Sequence, residues 1–278
     1  MPKAPQTALI AEGHFSQSWV ARLPGLRKHL GPLMGLSLRN ASRAAKLIKA
    51  GTPSDSYDEL KKCDLILLCV PDAQLPFWLE NLKTCGTNWA KSGFVLSASA
   101  LDSGALHPLR ELGAYTGSLS ELDGLGINRF LYEGEKVVLQ RLRRLIEEEG
   151  GARVFSMNER MRPVYDAGLT FAAGMTFPMI AAAVDSMRAA GLHVKVAEGA
   201  VEAAVLGALR SYLRAGKRGW SGPIAKVDRL ELRKQYQALF EQDEVLAEMY
   251  LKIAVDYLVE TADKPKVDRE KKPATGPP

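Results

Sequence analysis

Residues 8 to 19 read ALIAEGHFSQSW: an apolar run, a single glycine, then a segment able to open a helix. In the Gly-x-Gly-x-x-Gly turn of a dinucleotide site, the first glycine makes a tight turn and the second lets backbone approach a pyrophosphate. The third allows close helix packing. Only the middle glycine stands here, as Gly13, flanked by Ala11 and Ser16. Both replacements are small and keep much of the geometry. An ordinary strand-to-helix connection is the competing reading, and the choice depends on whether further strand ends converge on this turn.

Working outward, LMGLSLRN reads as a second short strand, with a helix beginning near Ser42 in SRAAKLIKAG and Gly51 as its stop. DELKKCDLILLCVPD combines a short helix with a strand over 64–70, whose continuous apolar character fits a parallel strand covered on both faces. A helix over about 73–82 follows, with Asp72 placed to cap it and Pro76 in its first turn, where proline is tolerated. GFVLSAS is another strand, ALDSGALHPLRELGA a loop and helix, and AYTGSLSE a further strand and turn. FLYEG, EKVVLQRLRRLIEEEG and ARVFSM finish the first domain. Strands alternating with helices in this way define an α/β fold, a doubly wound parallel sheet of Rossmann-like type with right-handed crossovers. Ligands then bind beyond the strand C-termini. EGHFS, SLRNAS, CVPDA and SASA are expected on that edge.

From about residue 158 helical periodicity takes over. MRPVYDAGLTFAAGMTFPMIAAAVDSMRAAG carries apolar residues at helix spacing, and Pro178 inside it is expected to kink the helix. A second helix places Val201, Ala204, Val205, Ala208, Leu209, Tyr212 and Leu213 on one face. GKRGWSGP is a turn, and two more helical stretches complete an all-helical C-terminal domain. The expected organisation is 1–157, a Rossmann-like dinucleotide-binding domain; 158–262, a helical domain for dimerisation and substrate; and 263–278, a disordered basic, proline-rich tail.

With 46% hydrophobic and 25% charged residues in 278, the composition is that of an ordinary globular protein. No run of about 18 apolar residues free of charge is expected and the N-terminus lacks a secretory pattern, so a cytoplasmic protein without membrane association is expected. Cys63, Cys69 and Cys85 have no CxxC spacing, and His14, His29, His107 and His193 are scattered, which argues against a metal site. The net charge of +5 is spread along helices with acids between, so nucleic acid is not an expected partner.

Four segments together resemble a known family: DLILLCVPD, SASAL, the helix opening RPVYDAG, and SGPIAKVDRLEL. Over residues 7 to 260 the chain is similar to Rossmann-like proteins carrying the C-terminal helical domain of unknown function DUF2520, relatives of pyrroline-5-carboxylate reductase and 6-phosphogluconate dehydrogenase. The resemblance implies an NADP or NAD cofactor, a homodimer built through the helical domain, and oxidoreductase chemistry on a small carbonyl, imine or hydroxy acid. Around the cofactor it places Gly13, His14, Phe15, Ser16, Arg39, Asn40, Ser42, Val70, Pro71, Asp72 and Ser97. An NAD site usually has an acid at the end of the second strand; Arg39, Asn40, Ser42 and Arg43 offer none, which favours NADP.

The catalytic positions depart from the family. Where relatives have Lys-x-x-Tyr-His and a later Asn, this chain has Arg162, Tyr165, Asp166 and Gly174. Ser120 and Glu121 replace a His-Pro pair, and Ser97 and Ser99 stand at positions of His and Ser. Reducing a carbonyl or imine needs a proton donor within about 3 Å of the heteroatom, a role arginine cannot fill. Tyr165 as donor or orienter, Asp166 as a perturbed acid, Arg162 as a carboxylate clamp, and Ser99 or Ser118 as substrate ligands are the candidates. A catalytically inactive homodimer serving as a nucleotide-binding or scaffold protein is the alternative.

Overall fold

The structure is a computed structural model that describes residues 6–12, 18–97, 101–122, 128–148, 151–219, 221–226 and 228–252. The chain divides into two compact units, Met1–Ala167 and Gly168–Pro278. Gly13, His14, Phe15, Ser16, Ser99 and the tail lie outside the described residues.

In the first unit β1 (Thr7–Ala11), β2 (Leu30–Met34), β3 (Thr52–Pro53), β4 (Leu65–Cys69), β5 (Gly93–Leu96), β6 (Tyr115–Glu121), β7 (Arg129–Gly134) and β8 (Arg153–Met157) form one sheet in the order 3-2-1-4-5-6-7-8. The order reverses between β1 and β4, the topological switch point of a doubly wound sheet. Every residue of β1, β4 and β5 is buried, because helices cover both faces. The period of two divides the apolar residues between two cores. Leu9, Leu65, Leu67 and Val95 face one side, and Ala8, Ile10, Ile66, Leu68 and Phe94 the other.

The helices of this unit are α1 (Ser18–Arg22), α2 (Pro24–His29), α3 (Leu38–Ile48), α4 (Tyr57–Lys61), α5 (Leu75–Thr84), α6 (His107–Arg110) and α7 (Lys136–Arg143); α8 (Arg162–Leu169) begins in it. Several local expectations need correction. The second strand is earlier than LMGLSLRN, and α3 starts at Leu38 rather than near Ser42, because Ser37 caps it by accepting the Asn40 N–H at 3.2 Å. Arg39 and Asn40 therefore occupy a first helical turn. The helix stops at Lys49, in the left-handed region, before Gly51 is reached. Asp72 opens a short 3₁₀ turn, Asp72–Gln74, and makes no side-chain cap to α5; Pro76 does lie in the first turn of α5.

β7 is antiparallel to β6, while β7 and β8 are parallel to each other. The last two strands thus run against the rest, and the sheet has strand C-termini on both edges.

The second unit holds α9 (Thr176–Ala189), α10 (Val194–Ala215), α11 (Pro223–Lys226), α12 (Arg229–Gln242) and α13 (Glu244–Tyr250). Pro178 sits in the first turn of α9, and the α-helical run is interrupted just before it. Its missing N–H and its clash fall on Gly174, four residues back, where a π turn, Thr170–Gly174, ends. The helical stretch Glu159–Ala189 is long and apolar enough to cross a membrane by length and composition, with a mean hydropathy of 1.6 over its best window, none of it buried. This corrects the expectation that no such run occurs: residues 167–184 are free of charge, and the Gly and Thr residues scattered through them obscure the apolar character. Phe171, Phe177, Leu209 and Leu213 are all more than half exposed, so this unit by itself leaves a broad apolar surface uncovered.

Candidate functional site

The parallel strands β1, β2, β4 and β5 end on one edge, which brings Glu12, Leu36 to Asn40, Val70 to Asp72 and Ser97 to the same edge of the sheet. The convergence expected of this edge holds for every described segment. Gly35 marks how tightly it is built, since a Cβ there would meet the Ala41 amide at 3.1 Å and the Ala11 carbonyl at 3.3 Å. Arg39 is exposed, and Asn40 and Ser42 are half-buried. Val70, in contrast, is buried in the apolar core and has no side-chain access to a ligand.

Glu12 is the residue that sequence reasoning passed over. It is buried at the end of β1, and its carboxylate accepts the Leu36 N–H at the end of β2. The structure therefore puts an acid where the β2 sequence supplies none, which corrects the premise of the NADP assignment. No local pattern signals it, because the contact joins two strand ends.

Ser97 is tied into the framework. Its hydroxyl accepts the Trp19 indole N–H at 2.9 Å and lies beside Cys69. Burial pushes the Cys69 thiol up to about 12, with the Ser97 hydrogen bond acting against it. Trp19 also lies 5.3 Å from Phe130 between ring centroids, and Arg22 pairs with Glu121 across the same edge. Through these contacts α1 is fastened to β5, β6 and β7.

The second cluster surrounds the opening of α8. Arg162 is almost wholly buried; its Nε donates to Asp166 at 2.9 and 3.0 Å, and its Nη1 reaches Ser120 Oγ at 3.4 Å. The Tyr165 ring lies 5.9 Å from the guanidinium carbon, and both Tyr165 and Asp166 are partly exposed. Acid C-terminal to base is the weaker order for an i,i+4 helix pair, so the pair positions a charge more than it stabilises the helix. The structure thus brings Arg162, Tyr165 and Asp166 together on one helix face, and Ser120 joins them from β6 through a contact that no sequence spacing signals.

Ser118 does not join them. It is fully buried and lies opposite Glu133 in the β6–β7 ladder. Glu133, also buried, accepts the Ser103 N–H at 2.6 Å and its hydroxyl at 2.7 Å. This polar seam belongs to the core, and Ser118 cannot reach a substrate from it. Among the described residues no group of three or more His, Cys, Asp or Glu could hold a metal ion.

A doubly wound sheet with its crevice at the switch point, followed by a helical unit, defines a Rossmann-like protein of the 6-phosphogluconate dehydrogenase and pyrroline-5-carboxylate reductase fold. Residues 129–256 match the domain of unknown function DUF2520. Among solved structures, a Bacteroides fragilis protein matches with a TM-score of 0.69 at 13% identity, covering 90% of this chain and 96% of its own. An imine reductase of Myxococcus stipitatus in complex with NADP+ matches with 0.58 at 15% identity, over 88% and 92%. A pyrroline-5-carboxylate reductase of Coxiella burnetii matches with 0.52 at 14% identity, over 91% and 98%. At these identities the likeness is one of fold. No curated protein matches the sequence.

Proposed function

We propose that the protein is an NADP-dependent oxidoreductase that transfers hydride to or from a small carbonyl, imine or hydroxy acid, and that it works as a homodimer. The observation that carries this reading is the opening of α3 at the crevice. Arg39 stands exposed in its first turn, where the helix dipole and free amides favour a phosphate. A dinucleotide fits this edge: Arg39, Asn40 and Ser42 would hold its 2′-phosphate, and Asp72 and Pro71 lie at the neighbouring strand end. When bound, the nicotinamide supplies or accepts the hydride. Arg162 holds the polar or anionic part of the substrate, Asp166 orients Arg162, and the Tyr165 hydroxyl is the proton donor of the cluster. Exposed apolar side chains on α9 and α10 support a second copy as the partner of the helical unit.

Glu12 favours a second reading. Its carboxylate occupies the end of β2, where it would repel a 2′-phosphate, and with Arg162 in place of a titrating donor this matches a catalytically silent nucleotide-binding or scaffold protein. Thermal-shift titrations with NADPH and NADH test the first reading. The oxidoreductase reading expects NADPH to raise the melting temperature, by the equivalent of about 2.7 kcal/mol at a hundredfold excess over Kd. It also expects Arg39→Asp to weaken NADPH far more than NADH. A flat response to both cofactors would sink the oxidoreductase reading, and equal weakening would reject Arg39 as the 2′-phosphate residue.

A further inference from the structure

The reversal of β7 and β8 gives the sheet a second carboxyl edge on the side where β1, β4, β5 and β6 begin. β7, α7 and β8 form a parallel βαβ unit of their own, and ligands of such units lie beyond the strand C-termini. At that place the structure has a cavity of about 510 Å³, within the range of about 300–1,000 Å³ typical of small-molecule sites. Its walls include Arg110, Lys136, Glu135, Glu159, Asn158 and Tyr132, all within the first unit. None of them belongs to the crevice or to the Arg162 cluster, and all but Arg110 fall inside the DUF2520 match.

The cavity wall is preformed. Tyr132 donates its hydroxyl to the Glu135 carbonyl at 2.7 Å, and its ring lies so close to Gly117 that a Cβ there would collide with it. Glu135 points inward, accepting the Thr116 N–H, and so leaves the first turn of α7 without a side-chain cap. Arg110 is anchored through Nε to Thr116 Oγ1 at 2.9 Å and meets Glu159 only at 3.4 Å, in a partly exposed pair of little strength. Lys136 is exposed beside them. The lining therefore offers Arg110, Lys136 and the first-turn amides of α7 beside two carboxylates, of which Glu135 is held by the Thr116 N–H and Glu159 only weakly, by Arg110.

We propose that this cavity binds an α-amino acid or a close zwitterionic analogue. Its carboxylate meets Arg110, Lys136 and the first-turn amides of α7, and its ammonium meets Glu159, which exchanges its long contact with Arg110 for a direct one. A simple anion would face Glu159 unpaired, and a simple amine would face Arg110 and Lys136. The site is independent of the proposed hydride chemistry.

Thermal-shift and calorimetric titration of the full chain with the standard amino acids, each at millimolar concentration, tests this. At least one should raise the melting temperature. Its N-acetyl derivative, its decarboxylated amine and inorganic phosphate should each bind at least about tenfold more weakly. Lys136→Ala and Glu159→Gln, both at exposed positions, should keep the unliganded melting temperature and lose about tenfold in affinity, whereas Arg162→Ala should bind unchanged. The proposal is overturned if no amino acid shifts the wild type, if phosphate or the acetylated compound binds as well, or if both cavity variants bind like wild type. Loss of binding in Arg162→Ala with its fold intact would equally overturn it.

Discussion

Arg162 donates through one nitrogen to both carboxylate oxygens of Asp166, four residues on, while its side chain is almost wholly buried and that of Asp166 is 44% exposed. The guanidinium depends on this partner. Asp166→Ala should therefore leave a buried charge without its counter-ion and destabilise the fold by about 2 kcal/mol, read from urea midpoints. Arg162→Ala together with Asp166→Ala should be milder than the sum of the single changes. Strict additivity would mean that the pair carries no coupling.

Glu133 makes a similar but deeper demand. Burial of its carboxylate is tolerated because Ser103 donates twice to it. Glu133→Ala should cost about 3 kcal/mol, since the Ser103 amide and hydroxyl are left unpaired, and Glu133→Gln should cost less because one acceptor remains. Equal stability of Glu133→Ala and wild type in chemical denaturation would contradict the seam as a structural element.

Gly134 adopts φ +127°, and a Cβ there would run into Gly117 and meet the Thr116 carbonyl at 2.7 Å. Gly134→Ala should lose more than about 2 kcal/mol from strain and collision together. Gly86, at φ +76° with nothing within 4 Å of a Cβ, is the control: its alanine variant carries the backbone strain alone and should cost about 1 kcal/mol. Thermal denaturation of the two variants should rank them in that order.

Burial raises the Cys69 thiol to about 12 and that of Cys63 to about 11 from the ordinary 9.0. A thiol neutral in the folded state but ionised in the unfolded chain stabilises the fold fully below the unfolded value, and that contribution is lost as pH rises toward the folded one. Stability should thus fall between about pH 9 and 12, with Cys69 contributing up to about 1.4 kcal/mol per pH unit. Cys69→Ala should flatten that decline in urea midpoints measured at pH 8 and 10. Alkylation at pH 8 should spare Cys63 and Cys69 in the folded protein and reach all three cysteines in urea.

The β4 strand is legible because LILLC is apolar at every position, which suits a strand covered on both faces. β2 was misplaced because Gly31 and Pro32 interrupt its pattern, while the capping sequence Ser37-Leu-Arg-Asn40 continues an apolar alternation and imitates a strand. In the candidate site Arg162, Tyr165 and Asp166 could be found from spacing, since positions i, i+3 and i+4 share one face of a helix. Glu12 to Leu36, Trp19 to Ser97 and Arg22 to Glu121 could not, because 24, 78 and 99 residues separate the partners.

Local periodicity and burial patterns act over a few residues, and by themselves they determined the alternation of strands and helices, the helical second half and the cluster opening α8. Strand order and register act over the whole chain. They alone decided that Glu12 would bring an acid to the end of β2, that Ser118 would be sealed beside Glu133, and that β7 and β8 would turn back. Hydrogen bonding between strands far apart in sequence sets those positions, and no short window of residues encodes it.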